Sequence, residues 1–408
     1  MKIAKVHLEN HPLFGTMDFD FTGPDGKTLD TVVIAGVNGT GKTTLLDAVR
    51  EMTSFFDRKY KGSFIELDLL TLYEKKLLNK PTAKFSEDRI ANYHLKITKE
   101  QEKNFLFSIV EDIIESKRPK FIYMPTEINF SKLAAKTLSF SSCYHDVSVI
   151  IDQKVIADVP SFIASTINSE VYKNPDLPAK KAIDKVCREI NSLFDILEID
   201  AQIIGLNPDR EKLPIFKNSA GSVFDINHLS SGEKQLFVRS MALKMLNANN
   251  SVILIDEPEI SMHPGWQQRI VKVYERIGNN NQVIIATHSP FIVGSVPKES
   301  VKLLKRVNGQ IKVVEYNEIS GSYGLPVDIV LRELMDLDTV RAPEVDKEIK
   351  SLWDMLYQKQ HDTKEFNEKY RQLEQLLGSE DEDLLLMRIE MAKLKAEKGK
   401  PNAGNKKG

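Results

Sequence analysis

One run of residues constrains this chain more than any other. Gly36-Val37-Asn38-Gly39-Thr40-Gly41-Lys42-Thr43 fits G-x-x-x-x-G-K-[ST] at every position. The flanks fit as well. Thr31-Val32-Val33-Ile34-Ala35 is a short, continuously apolar run, the pattern of a strand buried on both faces of a parallel sheet. A helix is predicted from about Lys42 to Phe55. Strand, glycine-rich loop and helix together form a phosphate-binding unit. The glycines let backbone N–H groups turn inward around phosphate oxygens, and the helix N-terminus adds its partial positive charge. Lys42 is placed to reach β- and γ-phosphates, and the Thr43 hydroxyl to ligate Mg²⁺. Gly36, Asn38, Gly39, Thr40, Gly41 and Thr44 complete the expected nucleotide contacts.

Composition narrows the setting. The chain has 408 residues, too many for one ordinary core. With 41% hydrophobic and 28% charged residues it is neither wholly disordered nor collagen-like. Its net charge is −2, so nucleic acid is left open as a partner only through a local basic patch. Cys143 and Cys187 are far apart and lack zinc spacing. A reducing, cytoplasmic setting follows as the simplest expectation. The first residues lack a signal-peptide pattern, and no apolar run is long enough to span a bilayer, so no membrane is expected as a partner.

Residues 2–9 and 14–21 alternate like half-buried strands. Strands are read at 63–68, 91–98 and 120–124, an amphipathic helix at 102–116, and helical periodicity over about 158–196, broken by Asn174-Pro175-Asp176-Leu177-Pro178. Ser251-Val252-Ile253-Leu254-Ile255-Asp256 and Gln282-Val283-Ile284-Ile285-Ala286-Thr287 read as buried strands, with a helix from Gln267 to Ile277 between them. A hairpin is predicted over 301–316, turning at Asn308-Gly309. Three apolar stripes follow: Val345 to Leu356, Phe366 to Leu377, and Leu384 to Met391. The expected division is 1–130 and 221–320 as two halves of one ATPase core, 131–220 as a mainly helical insertion, 321–394 as a helical assembly region, and 395–408 as a disordered tail.

The strand ending in Asp256-Glu257 supplies the second half of a phosphate site. Asp256 is expected to hold Mg²⁺, directly or through water, and Glu257 to polarise the attacking water. His288 ends the following strand, in Ala286-Thr287-His288-Ser289-Pro290. Glu127, after the apolar Tyr123-Met124, is either a contact for metal or water or an ordinary surface carboxylate.

Leu229-Ser230-Ser231-Gly232-Glu233-Lys234-Gln235 resembles the signature segment of ABC-type ATPases, in the form used by the OLD/SMC-like branch. The resemblance implies an α/β P-loop NTPase fold of ABC-ATPase type, with a helical insertion and a helical C-terminal extension. It implies that the chain binds and slowly hydrolyses ATP with Mg²⁺ at a head-to-tail homodimer seam. By the same resemblance Ser230, Ser231 and Gly232 of one chain would contact the γ-phosphate held by the other, and His288 would be the switch histidine. The string from Asp256 to Pro264 is similar to the OLD-like group especially, with His263 where transporters carry Asp.

The chain lacks features of larger relatives. Asp336-Leu337-Asp338 lies in a segment read as helical, without the alternating strands of a TOPRIM nuclease, and no zinc-finger-like HNH pattern is present. The middle is too short for long coiled-coil arms. Compact, with a helical C-terminus and with Asn10-His11-Pro12-Leu13-Phe14-Gly15, Asp30-Thr31-Val32-Val33-Ile34-Ala35-Gly36 and Gly324-Leu325-Pro326-Val327-Asp328-Ile329-Val330-Leu331, the chain resembles the stand-alone ATPase subunits of bacterial anti-phage systems, the PtuA type of Septu and retron systems and the AriA type of PARIS. That likeness implies a homo-oligomer and a separate effector nuclease, of HNH or TOPRIM type. The alternative is a DNA-repair or recombination ATPase that closes on duplex DNA.

Overall fold

The computed structural model describes residues 1–53, 62–68, 94–97, 119–128, 133–135, 144, 146–208 and 212–398. The helix expected at 102–116, Cys143 and the end of the tail lie outside them. The chain divides into two compact units, Met1–Met335 and Asp336–Gly408.

Fourteen strands make three sheets. β1 (Lys2–His11), β2 (Gly15–Asp20), β4 (Phe64–Asp68) and β5 (His94–Ile97) form an antiparallel sheet in the order β2-β1-β4-β5. β8 (Gln202–Leu206), β9 (Pro214–Lys217) and β10 (Val223–Asp225) form a small antiparallel sheet with β9 central. The main sheet contains β3 (Thr31–Ala35), β6 (Phe121–Met124), β7 (Ser148–Ile150), β11 (Val252–Asp256), β12 (Gln282–Thr287), β13 (Val301–Val307) and β14 (Gln310–Val314). Its order is β14-β13-β3-β12-β11-β6-β7, and only β14 runs antiparallel. This is an α/β fold of P-loop, ABC-ATPase type.

Side-chain alternation explains why the central strands are apolar throughout. Val33, Ala35, Ile253, Ile255, Val283 and Ile285 point into one core. Val32, Ile34, Val252, Leu254, Ile284 and Ala286 point into the other. The second core is closed by α1 (Lys42–Thr53), through Leu45, Leu46 and Val49, and by Ile3, Val6 and Leu8 of β1. The first is closed by α2 (Gln153–Lys173), α3 (Ala179–Asn191) and α4 (Ser231–Met245). A strand covered on both faces has no polar face to show.

The predicted hairpin forms as β13 and β14. Asn308 (φ +51°) and Gly309 (φ +82°) take the two left-handed positions of the turn. Three details differ from the sequence reading. The segment 131–220 carries strands β7, β8 and β9 besides its helices. The helix expected from Gln267 to Ile277 is two short ones, α5 (Pro264–Gln267) and α6 (Ile270–Glu275), and α7 (Pro290–Val293) follows β12. Asp336-Leu337-Asp338 is not helical, because Asp336 has φ +53° and the chain leaves helical geometry there.

The second unit is built on α8 (Pro343–Tyr357), α9 (Lys364–Leu377) and α10 (Glu382–Lys398). All three predicted apolar stripes are consumed in its own core: Ile349, Leu352 and Leu356, then Phe366 and Leu373, then Leu384 and Met387. Val345, Trp353, Tyr370, Leu377 and Met391 of the same stripes are partly buried against this core. Residues 395–398, expected in the disordered tail, continue α10.

Candidate functional site

Because β3, β12 and β11 are parallel neighbours, their C-terminal ends open on one edge of the sheet. Register makes this quantitative: Asp256 pairs with Ala286, and Ala286 with Ile34. The phosphate loop, the acidic pair and His288 thus begin within a few residues of one line across the sheet.

The loop requires its glycines. Gly36 has φ +153°, and a Cβ there would lie 2.4 Å from the Leu304 carbonyl oxygen. Gly41 has φ +92°, and a Cβ would meet Leu13 Cδ2 at 2.4 Å. Both positions are closed to any side chain. Lys42 is buried, and its ammonium donates to the Gly36 carbonyl at 2.8 Å and the Val37 carbonyl at 3.2 Å. Burial pulls its pKa down to about 8, against the attraction of Glu257, Asp256 and Glu259. A cation held at this cost is a site prepared for an anion.

His288 sits between two roles. Its Nδ1 is 3.2 Å from Lys42 Nζ, and its Nε2 is 3.1 Å from Glu257 Oε1. One protonation state satisfies both contacts: neutral imidazole, with Nδ1 accepting from the ammonium and Nε2–H donating to the carboxylate. Burial and the Lys42 charge both lower the His288 pKa, which favours that state.

Thr43 Oγ1 lies 3.0 Å from both carboxylate oxygens of Asp256. Thr126 Oγ1 donates to Asp256 Oδ2 at 2.6 Å. Burial raises the Asp256 pKa, while these hydroxyls act to lower it. A hydroxyl and a carboxylate at the mouth of a phosphate loop fit Mg²⁺, which takes oxygen ligands, keeps waters and borrows phosphate oxygens. Among the described residues no group of three or more His, Cys, Asp or Glu forms an all-protein metal cage. The contact with Asp256 comes from Thr126 and not from Glu127, which is exposed.

The signature segment is hydrogen-bonded within itself. Ser230 is the N-cap of α4 and forms a capping box with Glu233. Its Oγ donates to Glu233 Oε2 at 2.6 Å, and its N–H to the same oxygen at 3.0 Å. Ser230 and Ser231 are exposed at the helix N-terminus, the end that attracts anions. Gly232 is buried, and a Cβ there would lie 2.4 Å from the Ser261 carbonyl oxygen. Its glycine is therefore required for packing. Thr44 and Asn38 lie on the same loop and helix start as Lys42. His263 caps α5, its Nδ1 accepting from Gly265 N–H at 3.1 Å.

Sequence reasoning missed three residues here. Thr126 is one, since its contact depends on β6 lying beside β11. Glu259 is another: its Oε1 accepts from Thr287 Oγ1 at 2.6 Å and from the His288 N–H at 2.8 Å. Arg239 on α4 is the third. It is fully buried and donates to the carbonyls of Thr126 at 2.8 Å and Pro125 at 3.1 Å. The sequence signal for Glu259 and Arg239 is a charge inside an otherwise apolar or motif-bearing run, and Thr126 has none.

The chain is similar to known proteins. Residues 32–294 match the family described as "AAA domain, putative AbiEii toxin, Type IV TA system". The "Retron Vc95 probable ATPase" of Vibrio cholerae is 22% identical, over 90% of this chain and 87% of its own length. The "Septu protein PtuA" of Bacillus thuringiensis is 26% identical, over 37% of this chain and 41% of its own. The "Retron Ec83 probable ATPase" of Escherichia coli is 22% identical, over 96% of this chain and 87% of its own.

Proposed function

The chain belongs to this AAA-domain family and is an ATPase, and from that premise we propose that it works as an ATP-driven dimeric switch controlling a separate effector nuclease in anti-phage defence. One observation carries the reading. The binding half of the site is assembled within one chain, as Lys42, Thr43, Asp256, Glu257 and His288, while the capped N-terminus of α4 is exposed and hydrogen-bonded to its own Glu233. A second chain arranged head to tail would bring Ser230 and Ser231 to the γ-phosphate.

In this reading the loop N–H groups and Lys42 hold the phosphates. Thr43 and Asp256 would hold Mg²⁺, which would neutralise phosphate charge during transfer. Glu257 orients the attacking water and accepts its proton. His288, neutral and joined to both Lys42 and Glu257, registers whether the terminal phosphate is present. Phosphate closes the seam, and its loss opens it.

The retron and Septu names of the relatives support the defence setting. Among the described residues no helix is long and apolar enough to cross a membrane. The test is to purify the chain from its native operon with ATP and Mg²⁺ and weigh the complex by native mass spectrometry. A stoichiometric nuclease is expected. A bare homodimer that instead captures duplex DNA, with binding that falls steeply with salt, would replace this reading with the repair one. Lys42→Ala is the control for the site: it should abolish nucleotide binding, and tight ATP binding by that variant would defeat the phosphate-loop assignment.

A further inference from the structure

The turn after β11 is unusual. Glu257 has φ +44°, Pro258 is buried, and the Glu257 N–H donates to the Ala286 carbonyl at 2.9 Å. The chain therefore folds across the end of β12 instead of continuing outward. This brings Glu259 back over the last residues of its neighbour, where a single oxygen accepts from both Thr287 Oγ1 (2.6 Å) and the His288 N–H (2.8 Å). The backbone of residue 288 is pinned there, and the imidazole reaches Lys42 and Glu257 from that fixed point.

We propose that Glu259 is a positioning residue of the hydrolytic site: its carboxylate fixes His288 by holding the Thr287 hydroxyl and the residue-288 N–H on one oxygen. The second carboxylate oxygen, Oε2, is buried and has no hydrogen-bond partner. Arg239 Nε and Nη1 and Tyr274 Oη are among the other buried polar atoms without a well-formed hydrogen bond, and the Arg239 and Tyr274 side chains interact with each other. Arg239 and Glu259 attract one another electrostatically, and Tyr274 couples to both. An isolated charge would be expensive in this interior, whereas opposite charges sharing it offset one another. Arg239 also holds the carbonyls of Pro125 and Thr126, and the Thr126 hydroxyl holds Asp256. Arg239, on the helix whose exposed end presents Ser230, thus reaches Asp256 through Thr126.

The proposal rests on the reading that His288 attends the terminal phosphate. It differs from a purely structural ion pair in what it moves. Full-length wild-type chain, Glu259→Ala, Glu259→Gln and Thr287→Val are compared by hydrogen exchange of the peptide spanning 286–290 and by steady-state ATP hydrolysis with a parallel ATP titration. Glu259→Ala should lose His288 amide protection and drop kcat about 10- to 100-fold, with ATP Kd changed by less than about threefold. Glu259→Gln keeps an acceptor oxygen for both donors and should recover most of the protection and most of kcat. Thr287→Val removes one of the two donors and should give an intermediate kcat, which decides the matter if Glu259→Ala does not fold. Unchanged protection in Glu259→Ala, wild-type kcat in Thr287→Val, or kcat and Kd worsening together would overturn the proposal. Hydrolysis by Lys42→Ala at the wild-type rate would overturn the phosphate-loop reading instead, and the exchange comparison would still decide Glu259.

Discussion

At the scale of single residues, the site contains two carboxylates in succession with different surroundings. Asp256 is buried against Thr43 and Thr126, while Glu257 is half-buried and meets the His288 Nε2–H. Glu257→Gln keeps the size and the ability to accept that hydrogen bond but removes the base. ATP binding should survive, and kcat should fall by about 100-fold or more. Unchanged turnover in a steady-state assay would assign the water to another group. Thr126→Val removes the hydroxyl on Asp256 while keeping the shape, so the Mg²⁺ concentration needed for half-maximal hydrolysis should shift by several-fold, about 1 kcal/mol. A Mg²⁺ titration with no shift would show Thr126 to be a bystander. Lys42, Thr43, Asp256, Glu257 and His288 were legible in the sequence because each lies within a short local motif whose chemistry is carried by adjacent residues. Thr126, Arg239 and Glu259 were not, since their partners lie 130, 113 and 28 residues away in the chain and meet only through strand order and the turn at Glu257.

At the scale of elements, the fully buried strands were readable and the small sheet was not. β3, β11 and β12 announce themselves by unbroken apolar runs, because both faces are covered. β8 to β10 have between three and five residues each, β8 contains Gly205 and β9 begins at Pro214. Proline is tolerated there as the first residue of a strand, but it erases the usual strand signal. The α4 N-terminus carries the element-scale prediction. Ser230→Arg puts a long cation at an exposed cap without entering the core, so its own ATP binding should persist while hydrolysis stops. Mixing it with Lys42→Ala is the stronger measurement. In a head-to-tail dimer of one chain of each kind, one composite site has an intact phosphate loop and an intact signature. An equal mixture of two inactive proteins should therefore recover up to about a quarter of wild-type hydrolysis. No recovery, with mixed dimers present, would mean that the signature does not act in trans.

At the scale of the whole molecule, the second unit poses the question of what the ATPase governs. Its core takes in the three apolar stripes between Val345 and Met391. The residues left over are different ones. Leu386 is 48% exposed, Ile389 54% and Leu376 67%, on α9 and α10. α10 also gives Leu384 and Met387 to the core, so it is apolar on more than one side. A helix of that kind normally has its second face covered by something. If that something is a second copy or the effector, Leu386→Asp with Ile389→Asp should leave the helical content and thermal midpoint close to wild type, because neither side chain is in the core. The mass of the complex recovered from the native operon should fall by one partner, while ATP binding at Lys42 is retained. Native mass spectrometry with circular dichroism on the same samples reads both quantities. An unchanged complex from a folded double variant would move the partner surface off α10 and return attention to the seam at Ser230.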